Sequence, residues 1–317
     1  MPIDEWPERA CAPRLPNGES DPLASKVTEL LRAGEVLADE KPAAVFPSVE
    51  DVRGVLLPLL EWCVEREAQG ADSALRAIPP VRPTLPTFPM PPVLPIPPRR
   101  GLAGIAAPPG GGKTLLLAWL AATARALELK EFAFLALDGY HFPNAVLDCR
   151  MGLDPEGNPV SLRKLKGAPP TFDAERLLAD LRALKAGGGE RRLPGYSRVL
   201  HDPIPDRIRI GPEVKWVFVE GNYLFLDQPT WREIRGLFDR KIFLDADDAV
   251  LRERLARRHA AAGRDAEWIE NHFRRTDGPN IRLSRASARF ADVAFRWDRD
   301  GRLVPPDVQP PDPSARE

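Results

Sequence analysis

Eight consecutive residues, Ala107-Pro-Pro-Gly-Gly-Gly-Lys113-Thr114, carry the clearest chemistry in the sequence. Glycines at 110–112 let backbone N–H groups converge on one point, and a lysine and a hydroxyl follow immediately. That arrangement suits phosphate. The amides and the positive end of a following helix bind the oxygens, Lys113 reaches the terminal phosphates, and the Thr114 hydroxyl meets Mg²⁺. Pro109, Gly110, Gly111, Gly112, Lys113 and Thr114 are therefore the expected nucleotide-binding residues, with ATP and Mg²⁺ as cofactors. This is the Walker A spacing with alanine at the first glycine position, a change that matters only if residue 107 needs a positive φ. The competing reading is an ordinary Gly-rich turn that ends in Lys-Thr.

Two acids have a similar setting. Asp138 lies in Leu137-Asp-Gly-Tyr-His-Phe-Pro-Asn144 and Glu220 in Val219-Glu-Gly-Asn-Tyr-Leu224, each after an apolar run and before a glycine. Phosphoryl transfer needs one acid to accept a hydroxyl proton and one to hold Mg²⁺ or its water. Alone, either acid reads equally well as a turn residue capping the next element. His141 is either a site residue or a packed histidine.

These residues must be positioned by the elements around them. Leu102–Ala106 is a short apolar run, followed by the Gly-rich turn and an apolar helix from about Thr114 to Leu129. Phe132–Leu137, Lys215–Val219, Lys241–Leu244 and Ala291–Trp297 are further strand candidates, with helices at Ala174–Lys185 and Ala246–Ala262. Strand–helix alternation with nearly continuous apolar strands predicts an α/β fold, a parallel central sheet covered on both faces. Ligands of such sheets gather at the carboxyl ends of the strands, where the Gly-rich turn and both acids fall.

Outside this region the chain reads differently. Ten of its 36 prolines fall within residues 79–98, a stretch that favours extended polyproline II. It divides residues 1–78, a helical appendage, from a catalytic domain at 99–300, and a Pro-rich disordered tail is expected at 301–317. In the appendage, Ser25–Leu37 and a segment N-capped by Ser48 have helical spacing, and Pro58 should kink or shorten the second. The register Pro95-x-x-Pro98-x-Arg100 weakly matches an SH3 ligand, although a stiff spacer explains it as well.

The formal net charge of −1, from 45 basic and 46 acidic residues, gives no global field for nucleic acid or an anionic membrane. No long apolar run spans a bilayer, and the start of the chain has no signal-peptide pattern. Cys11, Cys63 and Cys149 are widely spaced, which reads as reduced thiols in a cytoplasmic setting. Homodimerisation is compatible with this composition.

Several motifs in one order resemble the phosphoribulokinase/uridine kinase family of P-loop kinases, particularly type I pantothenate kinases and bacterial sugar- or nucleoside-kinase-like proteins. The resemblance runs from about Gly101 to Arg282. It includes Lys166-Gly-Ala-Pro-Pro-Thr-Phe-Asp173, the segment Pro194-Gly-Tyr-Ser-Arg198 through Asp206, Glu220-Gly-Asn222 through Asp227, and Asp277-Gly-Pro-Asn280. It implies the three-layer P-loop NTPase fold. It also implies Asp138 as catalytic base, Lys113 as a catalytic residue on the phosphates, Glu220 and Thr114 near the metal, and Tyr140, His141, Lys166, Tyr196, Arg198 and Asn222 bordering the acceptor. Arg254 and Arg258, at i and i+4, fall where such kinases have lid arginines; the alternative is a solvated basic helix face. Asp277 and Asn280 could contact either substrate or shape a turn. Ala107 and the stretch from Glu190 to Leu193 depart from the pattern.

The expected activity is ATP-dependent phosphoryl transfer to a hydroxyl of a small metabolite: a sugar, a nucleoside or a pantothenate-like acid. The rival from another class is a nucleotide-binding regulatory or interaction protein with little kinase activity, which the Pro-rich arm motivates. A GTPase or motor-type ATPase fits less well, because the segments at Asp138 and Lys166 look built for an acceptor.

Overall fold

The computed structural model describes residues 22–33, 36–38, 41–42, 45–63, 99–154, 157–298 and 301–304. Residues 64–98 and 305–317, which contain the Pro-rich arm and most of the expected tail, lie outside them, as does Cys11.

Five apolar runs form the parallel part of one sheet: β1 (Gly101–Ala106), β2 (Phe132–Ala136), β5 (Trp216–Gly221), β6 (Arg240–Asp245) and β7 (Val293–Trp297). Between β2 and β5, β3 (Arg191–Ser197) and β4 (Asp202–Ile210) pair with each other as a separate antiparallel ribbon. With β8 (Leu303–Val304) at its edge, the sheet order is β8-β7-β6-β1-β5-β2. Side chains alternate across it, as the strand period of two requires. Ala103, Ile105, Phe218, Ile242 and Leu244 enter one apolar cluster, while Leu102, Ala106, Val217, Val219 and Phe243 enter the other. Helices cover both faces, which makes this the three-layer α/β fold read from the sequence.

The N-terminal helices are part of this core. α1 (Pro22–Ala33) buries Val27 and Leu31, and the second helical segment buries Val52, Leu56 and Leu60. All five join the cluster containing Trp119 and the sheet residues Phe218 and Leu244. The Trp119 indole N–H donates to Val45 O at 3.2 Å, and the Leu303 amide donates to an Asp51 carboxylate oxygen at 2.9 Å. Ser48 caps the second helix, with reciprocal hydrogen bonds to Asp51.

Four readings need correction. The first helix stops at Ala33, and Leu37 lies in a two-residue strand paired with Lys41–Pro42. Pro58 does not shorten the second helix. A π-helical turn at Val52–Leu56 precedes it, and the helix continues through residue 63. The wider turn accommodates a ring that has no N–H and would crowd an α-helical carbonyl. Leu303 and Val304, assigned to the tail, pair antiparallel with Trp297 and Arg296 because Leu303 has an apolar cluster to enter. Arg100, the cation of the SH3-like register, is 3% exposed and donates to the carbonyls of Val214, Gly188, Gly189 and Gly211. A guanidinium committed to the fold in this way is not offered to a partner.

Cys63 is buried and Cys149 exposed, and both are free thiols. Among the described residues, no helix is long and apolar enough to cross a membrane.

Candidate active site

The P-loop leaves β1 and opens α3 (Lys113–Ala126) at Gly112, which adopts φ 83°. A side chain there would be strained and would also meet the Trp297 indole nitrogen at 2.6 Å. Trp297 ends β7, and its N–H donates to Gly111 O at 2.8 Å. From α7 (Asp248–Ala261), Arg254 donates to Gly110 O at 3.3 Å and lies 5.5 Å from the Trp297 ring. The loop's carbonyls are thus held from behind. Ala107 is fully buried and does not have a positive φ, so its methyl group causes no backbone strain. The 14-residue helix α3 points its N-terminus at this loop, an electropositive end suited to phosphate.

Glu220 stands at the end of β5, next to β1 in the sheet. One of its carboxylate oxygens accepts from the Thr114 hydroxyl at 3.1 Å, and the other lies 3.9 Å from Lys113 Nζ. The hydroxyl and the carboxylate are hard oxygen donors of the kind Mg²⁺ prefers, and they adjoin the phosphate cradle. The residues fit the metal the fold implies.

Asp138 sits just past β2, in a single turn of 3₁₀ helix, Leu137–Tyr140. Gly139 lets the ribbon approach: a Cβ at this position would meet Pro194 O at 2.6 Å. That close contact brings β3 alongside, and Arg198 donates to Asp138 Oδ2 at 2.7 Å. Burial pushes the Asp138 carboxyl up, but Arg198, His141, Lys113 and Arg258 together outweigh it and hold it below the ordinary value. Asp138 is therefore a carboxylate at neutral pH.

His141 is buried, stacked on Phe172 at 3.8 Å, with Nδ1 3.2 Å from Thr171 O. Nδ1 also lies 3.3 Å from the Thr171 hydroxyl, and a proton on Nδ1 would satisfy the carbonyl, which can only accept. Burial, only partly offset by Asp138, pushes this imidazole down to about 4, so it is neutral at pH 7. Its Nε2 lies 3.9 Å from Asp138 Oδ1.

Lys166 donates to Asn144 Oδ1 and His201 O, each at 2.6 Å, and lies 5.3 Å from the Tyr196 ring. Arg198 lies 5.2 Å from the same ring. Burial drives Lys166 down to about 8, with Asp202 opposing. Tyr196 is raised to about 12, chiefly by burial. Lys166, Tyr196 and Arg198 thus form one wall beside Asp138. Tyr140 does not join it: the residue is 1% exposed and its hydroxyl donates to Asp180 at 3.0 Å, within the core. Asn222 follows β5, and its carbonyl accepts from Ser284 at 2.9 Å. Arg258 is exposed on α7, one turn beyond Arg254.

Two positions escaped the sequence reading. Trp297 was visible only as the apolar end of a strand. Arg285 ends α9 (Gly278–Arg285), the helix after α8 (Ala266–His272), and donates to Asp245 at 2.8 Å and to Ala246 O at 2.7 Å, tying that helix to the end of β6. Its only signal was one basic residue among many.

Comparison with known proteins fits this geometry. The uncharacterized protein YggC of Escherichia coli strain K12 is 36% identical over 205 residues, which cover 64% of this chain and 81% of YggC. The protein named "Putative uridine kinase C227.14" of Schizosaccharomyces pombe is 34% identical over 181 residues, 56% of this chain and 74% of that protein. The chain belongs to the phosphoribulokinase/uridine kinase family of P-loop kinases. Among solved structures, a "putative fructose transport system kinase" from Silicibacter sp. TM1040 superposes on this P-loop kinase with a TM-score of 0.54 and 29% identity. The match covers 65% of this chain and 92% of that one. No family model matches the kinase.

Proposed function

We propose that this kinase transfers the γ-phosphoryl group of ATP to a hydroxyl of a small metabolite, such as a sugar, a nucleoside or a pantothenate-like acid. The observation that carries the reading is the ionised Asp138 carboxylate, fixed by Arg198 at 2.7 Å on the same sheet edge as the P-loop and Glu220. A hydrolase needs, besides the phosphate cradle, only a group that orients a water. A carboxylate with its own basic and aromatic wall is what an acceptor hydroxyl requires.

In this account the amides of residues 109–114 and the Lys113 ammonium hold the triphosphate. Thr114 and Glu220 would hold Mg²⁺, which when bound supplies positive charge against the β- and γ-phosphate oxygens. The acceptor hydroxyl lies against Asp138, Lys166, Tyr196, Arg198 and Asn222, with His141 Nε2 3.9 Å from Asp138 Oδ1. As the acceptor oxygen bonds to the γ-phosphorus, the bond to the β–γ bridging oxygen breaks, ADP leaves, and Asp138 takes the hydroxyl proton. Lys113, Arg254 and Arg258 offset the charge that spreads over the transferred group. Most of the acceleration comes from positioning and from charges already in place.

The test is ADP release with Mg-ATP across a panel of sugars, nucleosides, pantothenate and glycerate, run beside Lys113→Ala. Acceptor-dependent release that disappears in the variant supports the reading and identifies the substrate class. Steady ADP release independent of any acceptor would overturn it.

A further inference from the structure

A cluster of two histidines and an aspartate lies outside the residues used above, where α7, α8 and a π-helical turn, Phe273–Asp277, converge. His259 Nε2 is 2.9 Å from one carboxylate oxygen of Asp277, and His272 Nε2 is 3.9 Å from the other. The three donor atoms all lie within 4.8 Å of one another. Asp277 is 5% exposed and the histidines are half-buried.

A hydrogen bond that simply latched two elements would need one histidine. Here a second ring, from a different helix, turns its Nε2 towards the same carboxylate. Aromatic neighbours support both rings: Trp268 stacks on His272 at 4.4 Å and 11°, and meets His259 edge-on at 5.3 Å. Beside the carboxylate is a cavity of 210 Å³, lined in part by His259, Asp277, Glu270 and Phe273. It has room for a water to complete a coordination shell. The wider π-helical turn is a local irregularity of the kind often found at functional positions.

We infer that His259, His272 and Asp277 form a binding site for a divalent ion of the zinc class. Two imidazoles and one carboxylate are a ligand set suited to Zn²⁺, Co²⁺ or Ni²⁺, whereas Mg²⁺ favours oxygen donors and stays with the P-loop. Binding ties the last turn of α7, one residue beyond Arg258, to the turn that begins α9.

The full chain, stripped with chelator, is titrated with Zn²⁺ alone in a calorimeter and with Co²⁺ alone by visible absorption. One ion per chain is expected, with a Co²⁺ spectrum of nitrogen and oxygen ligation. His259→Gln and His272→Gln should each weaken binding by at least about tenfold, the scale on which even supporting groups of metal sites act. Their melting temperatures in chelator should match the wild type, which shows that they are folded. Thr114→Ala should bind Zn²⁺ as the wild type does. Equal affinity in the wild type and both histidine variants would overturn the site, as would binding abolished by Cys149→Ser.

Discussion

The indole N–H of Trp297 donates to the carbonyl of Gly111 at 2.8 Å, and the same ring fills the space that a side chain at position 112 would need. The last parallel strand therefore supports the phosphate loop that follows the first. Trp297 also meets Trp119 edge-on at 5.5 Å, and Trp119 donates to Val45 O, so the N-terminal segment backs the same loop. Replacing Trp297 by Phe keeps the ring and removes the donor. A single neutral hydrogen bond is worth about 0.5–1.5 kcal/mol, so KM for ATP should rise about 2- to 10-fold. Steady-state kinetics with saturating acceptor check this, and an unchanged KM would show that the loop does not depend on the bond.

Arg198 is the strongest of the cations that pull Asp138 below the ordinary carboxylate value against the effect of burial. A depressed carboxylate contributes stability above its unfolded pKa of about 3.9, which is lost as pH falls through the lower folded value. For activity the same sign applies: the acid limb should lie below the ordinary carboxylate range. In Arg198→Ala the largest charge opposing burial is gone, so the acid limb of the kcat/KM profile should move to higher pH. A limb that stays in place would separate Asp138 from the observed titration.

Lys166, pushed down to about 8 mainly by burial, loses its charge in mildly alkaline solution. KM for the acceptor should rise as pH increases through about 8, while KM for ATP stays level. Lys166→Arg keeps the cation across that range and should flatten the dependence, even if the different head group weakens binding overall. An acceptor KM independent of pH in the wild type would remove Lys166 from the acceptor wall.

Glu220 accepts from Thr114 and lies 3.9 Å from Lys113, so removing its charge should affect the metal before the nucleotide. In Glu220→Gln the Mg²⁺ concentration for half-maximal rate should rise by about tenfold, as for disruption of a metal's supporting groups. Binding of ATP measured in chelator should be nearly unchanged. The opposite pattern would make Glu220 a partner of Lys113 and no more.

The sheet was legible because strands buried on both faces are apolar at successive positions: all five parallel strands stand where Leu102–Ala106, Phe132–Leu137 and their counterparts appeared. The P-loop was legible because its glycines are local requirements. The β3–β4 ribbon was not, since Arg191–Ser197 contains Pro194 and Gly195, residues that argue against a strand. The ribbon tolerates them through a register shift between Leu193 and Gly195. Long-range pairings were equally hidden. Nothing local in the sequence joins Arg198 to Asp138, sixty positions away, or brings His259 and His272 to Asp277. Arg100 looked like part of a proline-rich recognition segment because its carbonyl partners are about ninety to a hundred and ten positions downstream.

The most direct test of the account is Asp138→Asn, a nearly isosteric change that removes the proton acceptor. Turnover in the presence of a confirmed acceptor should fall by about 10²- to 10⁴-fold, the range for loss of a general base, while Kd for Mg-ATP stays at the wild-type value. Full turnover at unchanged ATP affinity would contradict the assignment of Asp138 and, with it, the proposed route of phosphoryl transfer.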